Sequence, residues 1–520
     1  MVSSPTMRQG APARHATPEA TSLLAARHAA QLQHGYTRLG GTDLTVSRVG
    51  FGCYRVDDET DDHRRSLTQA LQAGCNLIDT STNYADGGSE RLVGEVLQGL
   101  PDRGAVVVVS KIGYVQGENL RLAMDRERQG APFPEMVKYM DGCWHCIHPE
   151  FLADQIDRSL ARLRLDTLDV CLLHNPEYFF SDAKRRHRGD LEGLRREFDR
   201  RLREAFAFFE TAVRAGKILW YGVSSNTATA PPHDPEATSV SRMMDAAEAA
   251  GGRDHRFRVL QVPMNLFESG GVLVRNTGPG DGLTALELAA ASGVGVLINR
   301  PLNAFVAHRL LRLADLVKTP GIPAPAACWK AVRDLEVEYR SRFSGPQVAT
   351  QAAERLFDLA DQIAQAPDHV EDLEHWRQIE AMHVRPQLRA LGHTLAATAV
   401  PETRAAWDDW WGRAGAAIDR LILSAGDQVS SRSRKGRAAL HALIDPSLPP
   451  DRRSESLSRK AIWTVASTPG VSTVLVGMRR EAYVSDALGV LSWPPHPDPI
   501  AVYRQVESHD RSQAPPDRPA

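Results

Sequence analysis

The sequence predicts an α/β fold, a (β/α)8 barrel with a helical insertion between its seventh and eighth units. Three observations predict it. Short apolar runs alternate with stretches whose apolar residues recur at helical spacing. The runs are rich in Val, Ile and Leu with little polar alternation, as in parallel strands covered on both faces. Several of them end in a polar or charged residue, which is where a barrel keeps its chemistry. Alternation argues for a parallel sheet, and eight such units argue for closure.

Residues 1–35 hold Ser, Pro, Ala, Gln and Arg, with Glu19 the only acid, and read as a disordered tail. From Tyr36 a hairpin turning at Gly40–Gly41 leads into the first barrel strand. A helix over 61–74 closes at Gly74, a C′ glycine. The strand 76–80 follows. Ser89 then reads as the N-cap of a helix with Leu92, Val93, Val96 and Leu97 on one face. Next come the strand 105–110, the helix 151–163 and the strand 168–173. Helices over 202–216, 239–250 and 283–292 alternate with strands over 218–225, 258–266 and 294–301. The eighth pair, helix 460–467 and strand 472–478, appears only after a long gap.

That gap, 306–455, is helix-like, with Leu356, Leu359 and Ile363 spaced by three and four. A connection of this length must carry its own structure. A lid, an oligomer interface and an appended subdomain all remain open readings. The stripe Trp407, Trp410 and Trp411 reads as core, with a substrate-facing or dimer face the alternative. The barrel domain is then 36–305 with 456–500, and 501–520 is a C-terminal tail.

The 520 residues are 42% hydrophobic, which argues against global disorder. Lys and Arg number 62 against 64 Asp and Glu, a net charge of −2. That balance recruits neither nucleic acid nor an anionic membrane. No apolar run approaches the length of a membrane span. The six cysteines are sparse, which points to a reducing compartment and so to the cytoplasm. The basic run Lys184–Arg188 adjoins a helix carrying both signs and reads as a solvated face.

The chemistry is organised around NLIDTSTNY, Asn76–Tyr84. A buried strand ends in Asp79, and Tyr84 follows in the loop. Lys111 ends the next strand and His174 the one after. In a closed barrel these strand ends lie on one face. A phenol titrates near 10 in water. A close ammonium favours the phenolate and lowers that value, and a carboxylate paired to the ammonium holds the charge in place. Such a tyrosine can protonate a carbonyl oxygen while His174 donates a hydrogen bond to the same oxygen.

NLIDTSTNY, VVVVSK and DVCLLHN resemble the aldo-keto reductase superfamily over about 36–305 and 456–490. The resemblance implies an NAD(P)H-dependent barrel oxidoreductase that reduces an aldehyde, ketone or sugar-type carbonyl, or oxidises the alcohol. It implies a catalytic tetrad of Asp79, Tyr84, Lys111 and His174, with Tyr84 as the general acid. For the cofactor it implies Gly52 and Cys53 at the nicotinamide ribose, Ser224 and Gln261 at the carboxamide, and Arg300 in the seventh-strand segment. Arg479 and Arg480 match the loop that grips the adenosine 2′-phosphate, which favours NADP(H) over NAD(H). Tyr54, Trp144 and Asn175 are assigned to the substrate pocket. The chain departs from the pattern at Ser225, where the family has asparagine, at Asn299, where an aromatic ring is usual, and at Ala487. A barrel that keeps the cofactor but serves a regulatory or partner-binding role is the alternative.

Cys143-Trp-His-Cys146-Ile-His148 looks like half of a zinc site or a redox pair. No second pair completes it, and it is read as a loop before the fourth helix, with no metal.

Overall fold

The computed structural model describes residues 14–187, 189–306, 309–316, 321–343, 347–370, 373–398 and 404–513. Eight parallel strands close into a barrel. They are β1 (Val49–Gly52), β2 (Leu77–Asp79), β3 (Val107–Ile112), β4 (Leu168–His174), β5 (Ile218–Ser224), β6 (Phe257–Pro263), β7 (Gly295–Asn299) and β8 (Val471–Val476). Each pairs with its sequence neighbours, and β8 pairs with β1, Val474 facing Val49. No helix among the described residues is long and apolar enough to cross a membrane.

The interior explains where the polar residues go. Leu77, Val107, Val109, Val170, Leu172, Val259, Leu297 and Leu475 form one buried cluster. Leu39, Leu44 and Val46, from the hairpin before β1, join it at the N-terminal end. Side chains two apart on a strand share a face. The next inward position after Leu77 is Asp79, after Val109 Lys111, after Leu172 His174, after Val259 Gln261 and after Leu297 Asn299. The apolar filling therefore gives way to a polar layer at the C-terminal ends of the strands.

The termini differ from the expected tails. Pro18–His28 is a helix, capped by the Thr17 hydroxyl and opened by Pro18 at its first turn. The Ala16 amide donates to buried Asp169 at 2.7 Å. Pro499–Gln513 is also helical. Its Val502, Tyr503 and Val506 are buried, and the Tyr503 hydroxyl meets that of Thr468 at 2.9 Å. Residues 1–13 and 514–520 lie outside the described residues.

Other boundaries shift. The helix expected from Ser89 begins at Gly88, and Ser89 instead bonds Thr80 through the two hydroxyls at 2.7 Å. The helix expected from Leu202 begins at Leu191, where Asp190 caps it. The stretch 114–145 is not a plain loop. Tyr114–Val115, Cys143–His145 and Val137–Met140 form a three-stranded antiparallel sheet.

The insertion is a separate compact unit, Ala314–Asp445, narrower than 306–455 because the hairpin Asn303–Val306 and Arg309–Arg312 belongs to the barrel unit. Its own core includes Leu356, Phe357, Ile363, Leu421 and Trp376. Trp407 and Trp410 are buried in it, while the half-buried Trp411 stacks on Trp407 at 5.7 Å.

Candidate active site

Tyr84 follows β2 in a short turn, Tyr84–Gly87, in which Ala85 and Asp86 both have left-handed backbones, φ 50° and 49°. Such conformations cost non-glycine residues about 1 kcal/mol or more each. Asp86 offsets this by accepting from the amide of Glu118 at 3.0 Å, which ties the turn to the helix Gly117–Arg128.

At the barrel end, Lys111 Nζ donates to Asp79 Oδ2 at 2.8 Å and to the Thr80 carbonyl at 2.7 Å. Both side chains are buried. Gln261 Nε2 donates to the other Asp79 oxygen at 2.7 Å. The ammonium also stands 4.8 Å from the Tyr84 ring centre. Tyr54 and His174 meet that ring edge-on at 5.4 and 5.9 Å. The four residues expected to act together therefore share one small volume.

Electrostatics differ from the sequence expectation at Tyr84. Burial pushes its phenol well above 10, and Asp79, Cys53 and Tyr54 push it further. Lys111 stands beside the ring, and burial outweighs what its ammonium offers a phenolate. Burial also lowers the Lys111 ammonium, against the upward pull of Asp79. It raises Asp79, against Lys111 and Gln261. His174 is held far below 6.5 by burial and by the nearby charge of Lys111. At neutral pH the site holds a protonated phenol and a neutral imidazole.

Ser81 is a residue the sequence reading passed over. Its one hydroxyl proton has three acceptors in reach: Asn83 Oδ1 at 2.7 Å, His174 Nδ1 at 3.0 Å and the Lys111 carbonyl at 3.2 Å. Given to His174, it leaves the ring proton on Nε2. The signal was its position, two residues past Asp79. His174 is braced from behind by His145, whose Nε2–H donates to the His174 carbonyl at 2.7 Å. Burial lowers His145 to about 4, so it too is neutral. Gly113 lies between them. A Cβ there would sit 2.7 Å from His145 Nε2 and 2.8 Å from the His174 oxygen.

The sequence-assigned pocket residues border this centre unequally. Tyr54 is 68% exposed. Asn175 is buried with a left-handed backbone, φ 52°, and donates to the Tyr114 hydroxyl at 2.9 Å. Tyr114 in turn faces His174 edge-on at 4.7 Å. Trp144 lies in the small antiparallel sheet under the Lys138 ammonium at 4.4 Å. Its neighbours Cys143 and Cys146 are buried free thiols, and His148 caps the helix Pro149–Leu163. Among the described residues no group of His, Cys, Asp or Glu is placed to hold a metal.

Two sets of groups could hold a dinucleotide. Gln261 Oε1 accepts from Ser224 Oγ and from Asn299 Nδ2, both at 3.2 Å. Asn299 Oδ1 is buried with no partner among the described residues, an amide edge left open. After β8, Arg479 is half-buried, its charge disfavoured by burial and by Arg55, Arg312 and Arg480. Arg55, Arg479 and Arg480 pair with no carboxylate among the described residues. This surplus of cations suits a phosphate. Arg300, by contrast, is paired with Glu268 at 2.6 Å and lies over the Phe305 ring. Cys53 is fully buried, and Gly52 faces Asp79 across the β1–β2 pair.

Beside this centre Glu177 is buried, and burial raises its carboxyl to about 7. Its Oε1 accepts from the Asn226 amide at 2.7 Å. The folded value lies above the ordinary 4.5, so the stability that goes with burying the neutral acid is complete below pH 4.5 and is lost as pH rises through 7. We expect Glu177→Gln to flatten the fall in urea midpoint between pH 5 and 8. A variant with the wild-type slope would assign that fall to other groups.

Residues 48–269 match the model of the Aldo/keto reductase family. The NADH-specific methylglyoxal reductase of Escherichia coli (strain K12) is 33% identical over 144 residues, 26% of this chain and 40% of that protein. The methylglyoxal reductase YeaE of the same organism is 36% identical over 186 residues, 35% of this chain and 47% of that protein. The chain thus spans under half the length of these curated relatives. The holo form of an aldo-keto reductase from Bacillus halodurans is 16% identical with a TM-score of 0.46, covering 93% of this chain and 99% of that one.

Proposed function

The chain belongs to the aldo-keto reductase superfamily, and from that premise we propose that it is an NAD(P)H-dependent oxidoreductase acting on an aldehyde, ketone or sugar-type carbonyl, or on the corresponding alcohol. One observation carries the reading: Tyr84, Lys111, Asp79 and His174 converge at the C-terminal end of the barrel.

In this reading the nicotinamide, when bound, supplies the hydride to the carbonyl carbon. Every other part of the reaction falls to the chain. Tyr84 keeps its proton until a carbonyl oxygen gains charge beside it, then donates it. The ammonium of Lys111, fixed by Asp79, stabilises the phenolate that remains. His174, with Nδ1 satisfied by Ser81, directs Nε2–H at the same oxygen and orients it. Ser224, Gln261 and Asn299 would hold the carboxamide, and Arg479 and Arg480 would hold an adenosine 2′-phosphate. The Escherichia coli relative that is NADH-specific by name supports a second reading of cofactor choice. The two are separated by titrating the protein with NADPH and NADH, then assaying a carbonyl and alcohol panel. The double variant Arg479→Ala, Arg480→Ala is expected to weaken NADPH tenfold or more while changing NADH less than threefold, since each lost phosphate contact is worth about 1–3 kcal/mol. Equal losses for the two cofactors would refute the phosphate assignment.

A further inference from the structure

A cavity of about 310 Å³ opens at the N-terminal end of the barrel, away from the Asp79–Lys111 pair. Its wall is built where strands begin: Arg48 immediately precedes β1, Val294 precedes β7 and Gly470 precedes β8. His34, Arg38 and Arg48 supply basic groups, and Trp463 and Trp493 supply apolar surface. No Asp or Glu lines it. Arg38 is engaged by Asp43. Arg48 is different. Among the described residues it pairs with no carboxylate, and its one side-chain hydrogen bond is a long one, Nη1 to the Ala466 carbonyl at 3.4 Å.

That bond accounts for one donor of five, a cation set against the C-terminal end of the helix Leu457–Ala466. The rest of the fork has no partner of opposite charge, although desolvation already disfavours its charge. A half-buried guanidinium without a counter-charge is costly. An oxyanion in the cavity would supply that counter-charge, in the bidentate geometry a guanidinium favours. The volume exceeds that of a bare oxyanion and lies at the small end of ligand sites. The two indole walls suit an apolar body.

We propose that this cavity is a second ligand site, one that takes a small organic oxyanion, a phosphate or carboxylate on an apolar body, with Arg48 as its principal anion-binding group. The site is independent of the chemistry at the other end of the barrel. Occupancy would clamp the entries of β1, β7 and β8 and stabilise the fold by mass action.

The test uses the full chain carrying Arg479→Ala and Arg480→Ala, so that phosphate binding at the opposite end is removed. Phenyl phosphate, benzoate and inorganic phosphate are titrated by calorimetry. Labelling of arginines by phenylglyoxal is read by peptide mass with and without each anion. The expected result is saturable one-site binding of phenyl phosphate or benzoate, tighter than inorganic phosphate, with Arg48 protected from the reagent. Adding Arg48→Met should weaken binding tenfold or more. The tighter of the two aromatic anions assigns the head group. Absence of saturable binding, inorganic phosphate bound as tightly as phenyl phosphate, or Arg48 labelled equally with and without ligand overturns the proposal. Should the Arg48→Met chain not fold, protection of the unsubstituted Arg48 decides.

Discussion

Replacing Tyr84 with phenylalanine is expected to lower kcat by about 10²–10⁴-fold, the usual worth of a positioned general acid, while NADPH binding changes less than twofold. The separation follows from what the ring touches. Tyr54, His174 and Lys111 pack against the ring itself, and phenylalanine keeps those contacts. Only the hydroxyl is lost, and with it the proton. Because burial holds the phenol well above 10, the wild-type acid is loaded throughout the neutral range. Its reductive kcat should therefore be flat from pH 6 to 9. Stopped-flow measurement of cofactor oxidation across that range checks both statements. A Tyr84→Phe chain with wild-type kcat would remove the acid–base reading and leave a cofactor-binding barrel whose role lies with a partner.

Much of this site was legible because a parallel barrel strand writes its own geometry. Leu77–Ile78–Asp79 and Val109–Ser110–Lys111 place the polar residue on the inward side by a period of two, and closure does the rest. The insertion was legible as a gap in an otherwise regular alternation. What escaped the sequence depends on partners distant in the chain. The helices Pro18–His28 and Pro499–Gln513 have tail-like composition, and each is tied to residues far away in the chain, the first by Ala16, just before it, to Asp169 and the second by Tyr503 to Thr468. The 114–145 sheet is built from strands of two to four residues, too short to show a period. Ser81 gained meaning only when His174, 93 residues away, came within 3.0 Å. The direction of the Tyr84 shift depends on burial, which spacing does not report. Arg300 is assigned to the cofactor by resemblance alone, and its pairing with Glu268 shows only in the fold.

The largest structural effect is expected at Lys111. Lys111→Met removes the cation but leaves Asp79 buried, with Gln261 its only remaining side-chain donor among the described residues. Breaking a buried pair by removing one partner costs about 3–5 kcal/mol, because the remaining charge is left uncompensated. The urea midpoint should fall accordingly, and the residual stability should increase as pH drops and Asp79 takes a proton. Burial already raises that carboxyl, and loss of Lys111 raises it further, so the recovery should begin above the ordinary carboxylate range. The double variant Lys111→Met, Asp79→Asn has no buried charge to strand. It should regain at least half of the lost stability while remaining without turnover, since Tyr84 would face no ammonium. Stability and catalysis then part company in one experiment. If the double variant is no more stable than Lys111→Met alone, the cost lies in repacking around the methionine rather than in the stranded carboxylate. If it regains turnover as well, the ammonium has no part in supporting the phenolate.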